Sequence, residues 1–318
     1  MRPVPRDVRP LAPEKFRDPF VTAKGERRAI VAPIGLATLW VNTGTLCNIT
    51  CASCYIESSP KNDALVYLTA AEVATALDEA ATLGEPLEDV GFTGGEPFLN
   101  RELPDMLRIV LERDLNALVL TNAMKPMRNH AKALLALRAR FGDRLTLRVS
   151  LDHHGAVRHD LERGDGSFVQ ALAGLAWLAR EGFRVHVAGR LGFSDEGEAA
   201  LRTGFARLFA EHGIAIDAAD PVALMLFPEM DATADVPEIT EACWSVLNKQ
   251  PEQVMCASTR MLVRRRGAAC ATYVACTLLP YDERFELGTT LAEALRPVAL
   301  NHPHCATFCV LGGAACSR

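Results

Sequence analysis

The chain has 318 residues and a net charge of −5, from 34 basic and 39 acidic residues. Hydrophobic residues make up 49% and charged residues 23%, which is ordinary for a globular protein. This composition indicates neither nucleic acid nor a membrane as the main partner. The length suffices for one large α/β domain and a smaller one.

After a lead-in over residues 1–34, apolar strands alternate with amphipathic helices. Strands are predicted, in chain order, over 36–42, 89–93, 117–121, 145–151, 184–190 and within 214–227. Helices are predicted over 69–83, 103–113, 130–141, 167–181 and 195–212, the first with a capping box of Thr69 and Glu72. The charged run at 160–163 is predicted to be a solvated turn.

Strict alternation of strands and helices predicts a parallel sheet with helical crossovers. Six such units are too few for a closed eight-stranded barrel, so we predict a partial (β/α)6 TIM-like barrel over residues 35–235. Residues 236–318 hold seven cysteines and are predicted to form a small α+β domain with a hairpin between Cys256 and Cys276. A short helix is predicted over 290–296.

The compartment decides how the ten cysteines are interpreted. No apolar stretch reaches the roughly 18–20 residues of a spanning helix, and the first twenty residues contain charges and prolines but no apolar signal region. We therefore expect a cytoplasmic protein. In a reducing compartment, clustered cysteines favour metal binding or catalysis over disulfides.

Three cysteines follow the first strand of the barrel with the spacing C-x3-C-x2-C: Cys47, Cys51 and Cys54. A structural zinc site normally has four ligands. A cubane iron–sulfur cluster with three thiolates keeps one iron open for a substrate or cofactor. Three thiols therefore favour a [4Fe–4S] cluster with an open iron, although zinc remains an alternative.

Together with "GGEP" after the second strand, this motif resembles the radical S-adenosylmethionine superfamily. The resemblance implies that the open iron binds S-adenosylmethionine and that its reductive cleavage gives a 5′-deoxyadenosyl radical, which abstracts a substrate hydrogen. It also implies a flavodoxin- or ferredoxin-type reductant and a set of positions that contact S-adenosylmethionine. These positions are Tyr55, Gly94, Gly95, Glu96, Pro97, Asn122, Ser150, Asp152 and Arg190.

The second cysteine group resembles the auxiliary-cluster extensions of this superfamily, the short twitch form more than the longer SPASM form. That resemblance implies one auxiliary [4Fe–4S] cluster, with zinc as an alternative. The expected ligands are Cys256, Cys276, Cys305 and Cys309, with Cys316 competing for the fourth place. Cys243 and Cys270 are expected to be small buried hydrophobic residues.

Three hypotheses for the reaction stay open. The first is net oxidation of a small molecule, with the auxiliary cluster as electron acceptor. The second is modification of a ribosomally made peptide, which the lead-in of about 35 residues makes less favoured because it is too short for a leader-binding module. The third is a non-catalytic metal-binding scaffold. Candidate substrate-side groups are His153, His154 and Glu229, with His159 and Asp231 less favoured.

Overall fold

A nine-stranded sheet forms the centre of the computed structural model, which describes residues 9–192 and 194–313. The strands, including two in a small second sheet, are β1 (Ile30–Val31), β2 (Thr38–Asn42), β3 (Asp89–Thr93), β4 (Asn116–Thr121), β5 (Leu145–Ser150), β6 (Arg184–Arg190), β7 (Leu224–Phe227), β8 (Thr259–Val263), β9 (Thr272–Val274), β10 (Glu286–Gly288) and β11 (Val298–Ala299). The helices are α1 (Ala70–Leu83), α2 (Leu103–Leu111), α3 (Lys125–Asn129), α4 (Ala131–Phe141), α5 (Ala156–Arg163), α6 (Ser167–Arg180), α7 (Glu198–Glu211), α8 (Cys243–Val246) and α9 (Leu291–Ala294). A π-helix follows over Cys305–Leu311.

Strands β2 to β7 lie side by side in chain order, and every neighbouring pair is parallel. The prediction of an α/β fold with a partial (β/α)6 barrel is confirmed. Because the strands are parallel, their carboxyl ends meet at one rim of the sheet, together with the loops that carry the predicted site residues.

The C-terminal hairpin continues the same sheet. Strand β8 pairs in parallel with β2, so that Trp40 lies opposite Met261, and β9 and β10 follow antiparallel. The predicted hairpin is therefore present, and it lies directly beside the first strand of the barrel. The proposed division of the chain at residues 235 and 236 stays a prediction.

Helix α1 shows how closely local sequence signals fix the helix ends. The Thr69 side chain accepts a hydrogen bond from the Glu72 backbone N–H, and the Glu72 carboxylate accepts one from the Thr69 backbone, as predicted. Gly84 ends the helix at φ 69°, a conformation that glycine adopts without strain. No helix within the described ranges is both long enough and apolar enough to cross a membrane.

Helix α5 is the element that the sequence pattern missed, and the predicted solvated turn at 160–163 is wrong. Val157 and Leu161 lie one turn apart and are exposed, whereas His159 and Glu162 are buried. The buried face of this helix is polar, so an argument from apolar periodicity fails here. The helix lies against the cysteine loop and supplies part of the site.

A buried ion pair fastens the N-terminal segment to the rest of the chain. The Arg28 side chain is fully buried and donates to the Glu238 carboxylate at 2.5 Å and to the carbonyls of Asp18, Val21 and Leu300. Burial raises the pKa of Glu238, but the hydrogen bonds from Arg28 and two backbone N–H groups outweigh it, so the pKa is lowered. The carboxylate is therefore stabilised in its ionised form.

Replacing Glu238 by Gln is expected to lower the free energy of unfolding by about 3–5 kcal/mol at pH 7, because Arg28 is left as an unpaired buried charge. A carboxylate with a lowered pKa stabilises the fold above its unfolded pKa, and this contribution is lost as the pH falls through the folded value. The difference between wild type and variant in urea unfolding should therefore shrink on acidification. Asp235→Asn, which breaks a more exposed pair with Lys15, should cost under about 1 kcal/mol. Equal costs for the two variants would contradict the account.

Candidate active site

A cavity of about 220 Å³ opens at the carboxyl ends of the barrel strands. It brings together ten of the predicted site residues, although they come from loops far apart in sequence. Its lining includes Cys47, Cys51, Cys54, Tyr55, Gly94, Gly95, Asn122, Ser150, Asp152 and Arg190. The other predicted site residues of the described chain lie outside this lining: Glu96, Pro97, His153, His154, Glu229 and, in the second cysteine group, Cys256, Cys276, Cys305 and Cys309.

The loop that carries the first three cysteines is held from two sides. At its start, the Cys47 N–H donates to the Ser59 carbonyl at 3.0 Å. In its middle, the Ala52 N–H donates to the Glu162 carbonyl at 2.8 Å, and the Glu162 carboxylate accepts from the Ser53 N–H and hydroxyl at 2.8 and 2.6 Å. Helix α5 therefore braces the loop between Cys51 and Cys54.

The electrostatics of these cysteines suit a shared metal centre. Burial raises the pKa of the Cys47 thiol to about 12 and that of the Cys51 thiol to about 11, and the neighbouring thiols act in the same direction. The Arg163 guanidinium opposes the rise at Cys51. In a partly buried site, neighbouring thiolates repel one another, and a cationic metal centre stabilises all of them in the deprotonated form. The three residues therefore fit an iron–sulfur cluster.

Two glycines let strand β3 end directly against the cysteine loop. The Gly95 N–H donates to the Gly44 carbonyl at 2.8 Å. A Cβ on Gly94, whose φ is 138°, would lie 2.5 Å from the Gly44 oxygen, and one on Gly95 would lie 2.1 Å from the Leu46 oxygen. Both glycines line the cavity. Because they have no side chain, the cysteine loop can pack directly against the part of the cavity wall that a ligand would touch.

Glu96, which the resemblance implies is a contact of S-adenosylmethionine, is not among the residues that line the cavity. Its buried carboxylate accepts from the Thr121 hydroxyl at 2.8 Å, the Asn122 N–H at 2.9 Å and the Phe98 N–H at 3.2 Å. Burial raises its pKa to about 7, against the effect of these hydrogen bonds. Glu96 therefore joins the ends of β3 and β4 and fixes Asn122, whose amide donates to the Asn48 side chain at 2.9 Å.

Charged residues from three loops form one network beside the cysteines. Asp152 accepts a bidentate pair of hydrogen bonds from Arg163 at 2.7 and 3.0 Å. Arg190 contacts Glu162 at 3.1 Å and Glu229 at 2.8 Å. Arg190 therefore faces carboxylates of the protein. Sequence reasoning missed Glu162 and Arg163, although the charged run directly after a barrel strand was a signal for them.

His153 and His154 form a separate cluster with Glu196. Their Nε2 atoms lie 3.0 and 2.9 Å from the two carboxylate oxygens of Glu196. The Gly155 N–H donates to Nδ1 of His153 at 2.9 Å, which makes Nε2 the protonated nitrogen of neutral His153. That nitrogen donates to Glu196 and has no lone pair for a metal ion. We therefore interpret the cluster as a hydrogen-bonded link between the loop of the two histidines and the loop of Glu196.

The second cysteine group lies close to the same cavity. Cys256 and Cys305 are buried, and burial raises the pKa of the Cys305 thiol well above its usual value, with Cys276 and Cys256 adding to the effect. Two residues of this region, Leu278 and Phe308, line the cavity. Sequence neighbours of the second cysteine group therefore form part of the wall of the cavity that the first group lines.

The same C-terminal region also contains Tyr281 and four further cysteines. The Tyr281 hydroxyl donates to the Ile56 carbonyl at 2.8 Å and so ties the C-terminal segment to the first cysteine loop. Cys309 shares the π-helix with Cys305. Cys243 is half-buried, while Cys270 is exposed in the turn of the hairpin, so the expectation that Cys270 is buried is wrong. Cys316 lies outside the described residues.

Comparison with known proteins gives one family and two relatives. The model of the radical SAM superfamily matches residues 41–203, or 163 of 318 residues. A stretch of 142 residues is 28% identical to the Fe-coproporphyrin III synthase of Methanosarcina barkeri and covers 44% of this chain and 33% of that protein. A stretch of 148 residues is 32% identical to the antilisterial bacteriocin subtilosin biosynthesis protein AlbA of Bacillus subtilis and covers 45% of this chain and 30% of that protein. The matched part therefore spans about a third of the length of each relative.

The fold is similar to that in the crystal structure of Streptococcus suis SuiB bound to S-adenosylmethionine. The TM-score is 0.57 at 10% identity, and the match covers 80% of this chain and 63% of that one. At this identity the likeness bears on the fold alone. The family model covers the three cysteines, the GGEP stretch and the strands that place them in one cavity. The chain belongs to the radical SAM superfamily.

Proposed function

We propose that this protein is a radical S-adenosylmethionine enzyme that oxidises a small molecule, with Cys47, Cys51 and Cys54 as the ligands of its [4Fe–4S] cluster. When bound at that cluster and reduced by one electron, S-adenosylmethionine supplies a 5′-deoxyadenosyl radical that removes a hydrogen atom from the substrate. The observation that carries the proposal is the convergence of these three thiols and Gly94–Gly95 on one cavity.

The residues of the cavity wall divide into two roles. Tyr55, Asn122 and Ser150 present an aromatic ring, an amide and a hydroxyl to the space, and they are the proposed contacts for S-adenosylmethionine. Glu96 and Asp152 act through their neighbours, because their carboxylates already accept hydrogen bonds from other residues of the protein. They are positioning residues in this proposal.

The remaining proposed roles concern Arg190 and the residues Glu229, His153 and His154 at the rim of the cavity. Arg190 lines the cavity and pairs with Glu229, so an incoming carboxylate would compete with Glu229 for its guanidinium. Such competition would free Glu229 to meet a substrate hydroxyl or amine at the rim. His153 and His154 are proposed to hold the rim loop of Glu196 in place and not to touch substrate.

The second cysteine group is proposed to hold a twitch-type auxiliary [4Fe–4S] cluster. The proposed ligands are Cys256, Cys276, Cys305 and, from the π-helix, Cys309, with Cys316 as the competitor for the fourth place. A substrate that has lost a hydrogen atom completes a two-electron oxidation when it gives up one proton and one more electron. Leu278 and Phe308 line the cavity and are close in sequence to Cys276 and to Cys305 and Cys309, which supports the auxiliary cluster as acceptor of that electron. A flavodoxin- or ferredoxin-type protein is the proposed donor to the first cluster.

One experiment separates this function from a metal-binding scaffold. Protein reconstituted anaerobically with iron and sulfide is reduced with dithionite and given S-adenosylmethionine. We expect methionine and 5′-deoxyadenosine in equal amounts, above the protein-free control. A scaffold would leave S-adenosylmethionine intact, and that outcome would contradict the proposal.

A second candidate is maturation of a ribosomally made peptide. It is favoured by the 32% identity to a protein named for bacteriocin biosynthesis, whereas the other relative is named for synthesis of a tetrapyrrole. The two candidates predict different genetic surroundings. A gene for a short precursor peptide beside this one, and a mass change in that peptide on incubation with enzyme and S-adenosylmethionine, would favour maturation over small-molecule oxidation.

Glu162→Ala is expected to weaken retention of the first cluster by about 1.5–3 kcal/mol, because two charge-assisted hydrogen bonds to Ser53 are lost. The measurement is the rate at which reconstituted protein loses iron to a chelator. Glu229→Ala is the matched control, since its carboxylate also pairs with Arg190 but is more exposed and does not hold the loop. Equal rates of iron loss in the two variants would show that the brace from α5 is unimportant.

A further inference from the structure

Arg260 is a buried cation beside the second cysteine group. Its side chain is 1% exposed and lies on strand β8. Nε donates to the Ala294 carbonyl at 2.7 Å, Nη1 to the carbonyls of Cys256 and Thr259 at 2.5 and 2.6 Å, and Nη2 to the Arg296 carbonyl at 3.1 Å. Each of these four acceptors is a neutral peptide oxygen.

Peptide oxygens satisfy the N–H groups of a guanidinium but leave its net charge uncancelled. Arginine stays protonated in proteins, and a buried unpaired charge costs several kcal/mol. Among the described residues, Glu85 is the carboxylate whose charge acts on Arg260, and Cys256 and Cys276 act on it once their thiols are deprotonated. Glu85 is half-buried, and its carboxylate accepts from the Leu36 N–H at 2.5 Å. The main counter-charge available to Arg260 is therefore that of deprotonated cysteines.

The first cysteine group also has an arginine beside it, but that arginine is half-buried and paired with a carboxylate. Arg163 acts on Cys51 and is held by both oxygens of the Asp152 carboxylate. The pair carries no net charge. The two cysteine groups therefore differ in their surrounding charge. Beside the first group, Arg163 pairs with Asp152, and Arg190 pairs with Glu162 and Glu229, so every cation of that network has a carboxylate partner, whereas the acceptors of Arg260 beside the second group are peptide oxygens.

We propose that Arg260 is the built-in counter-charge of an anionic iron–sulfur cluster at Cys256, Cys276 and Cys305, and that it holds the reduction potential of that cluster above that of the first. This inference rests on the proposed function. Net charge near a cluster is one of the factors that set its potential, and a nearby cation favours the reduced state. A higher potential would make the second cluster a better acceptor than the first for an electron released from substrate in the cavity.

The test is a redox titration of reconstituted Arg260→Met protein, followed by the EPR signals of the two clusters. We expect reduction of the second cluster to become at least about tenfold less favourable, equivalent to about 59 mV for one electron, with the first cluster unchanged. Arg265→Met is the matched control. It removes an arginine from the same hairpin, but one that is half-exposed and paired with Glu286, and both potentials should stay at wild-type values. Arg260→Lys, which keeps the charge, should retain most of the wild-type potential.

Unfolding experiments separate this role from capping of the C-terminal end of α9 by Arg260. Methionine leaves the four carbonyls without their donor in both forms, but only the loaded variant also loses the counter-charge of the cluster, so the loaded Met variant should lose more stability than the iron-free one. A pure cap would destabilise both forms equally, and that result, or an unmoved potential at full iron content, would overturn the inference. Wild-type protein that binds iron for only one cluster would instead remove the proposed function itself.

Discussion

Cys51→Ala is expected to lose the first cluster and to stop all cleavage of S-adenosylmethionine. Cys51 is the middle one of the three thiols that line the cavity, and a cubane left with two protein ligands loses the anchoring that leaves a single iron open. Iron content should fall by about half if the auxiliary cluster stays bound. Formation of 5′-deoxyadenosine should drop to the level of the protein-free control.

Cys270→Ala is the matched control for this variant, because Cys270 is also a cysteine but is exposed in the turn of the hairpin. Its iron content and rate of cleavage should equal those of the wild type. Unchanged iron in Cys51→Ala, or cleavage that persists in it, would remove the first cysteine group from the mechanism.

Cys276→Ala is expected to separate cleavage from oxidation. The first cluster and its cavity stay intact in this variant, so S-adenosylmethionine should still be cleaved at a rate near that of the wild type. The second cluster loses a proposed ligand that interacts with Cys305 and is close in sequence to Leu278, which lines the cavity. Iron content should fall by about half, and formation of oxidised product should stop because the second electron has no acceptor.

Two results would contradict the acceptor role of the second group. One is oxidised product formed by Cys276→Ala at the wild-type rate, and the other is an iron content equal to that of the wild type. Cys243→Ala provides the comparison, since the Cys243 sulfur accepts from the Thr240 N–H at 3.4 Å and belongs to a different part of the tail. That variant should keep the full iron content.

Much of the barrel could be predicted from the sequence because its signals are local. Each strand of the barrel is an apolar run within a few residues of its observed bounds, and α1 begins and ends where its capping box and Gly84 indicate. Parallel strands deliver their following loops to one rim, so the convergence of the cysteines, the two glycines, Asn122 and Ser150 followed from topology alone.

The remaining features depend on contacts between distant parts of the chain. Helix α5 buries His159 and Glu162, and their partners come from other parts of the chain: the Glu162 carboxylate accepts from Ser53 of the cysteine loop, and the His159 ring accepts from the Asp152 N–H. Glu96 has a loop position that suits a ligand contact, yet its partners come from β4. Arg260 can be interpreted as a counter-charge only once the structure shows that α9 and the second cysteine group lie around it.

The most direct test of the account is whether S-adenosylmethionine binds to the first cluster. Reconstituted Cys276→Ala protein, which isolates that cluster, is reduced, and its EPR spectrum is recorded before and after S-adenosylmethionine is added. We predict that the signal shifts on addition, because the amino and carboxylate groups of the ligand occupy the open iron. A spectrum that stays the same at saturating S-adenosylmethionine would contradict the central claim that three thiols leave one iron free for this cofactor.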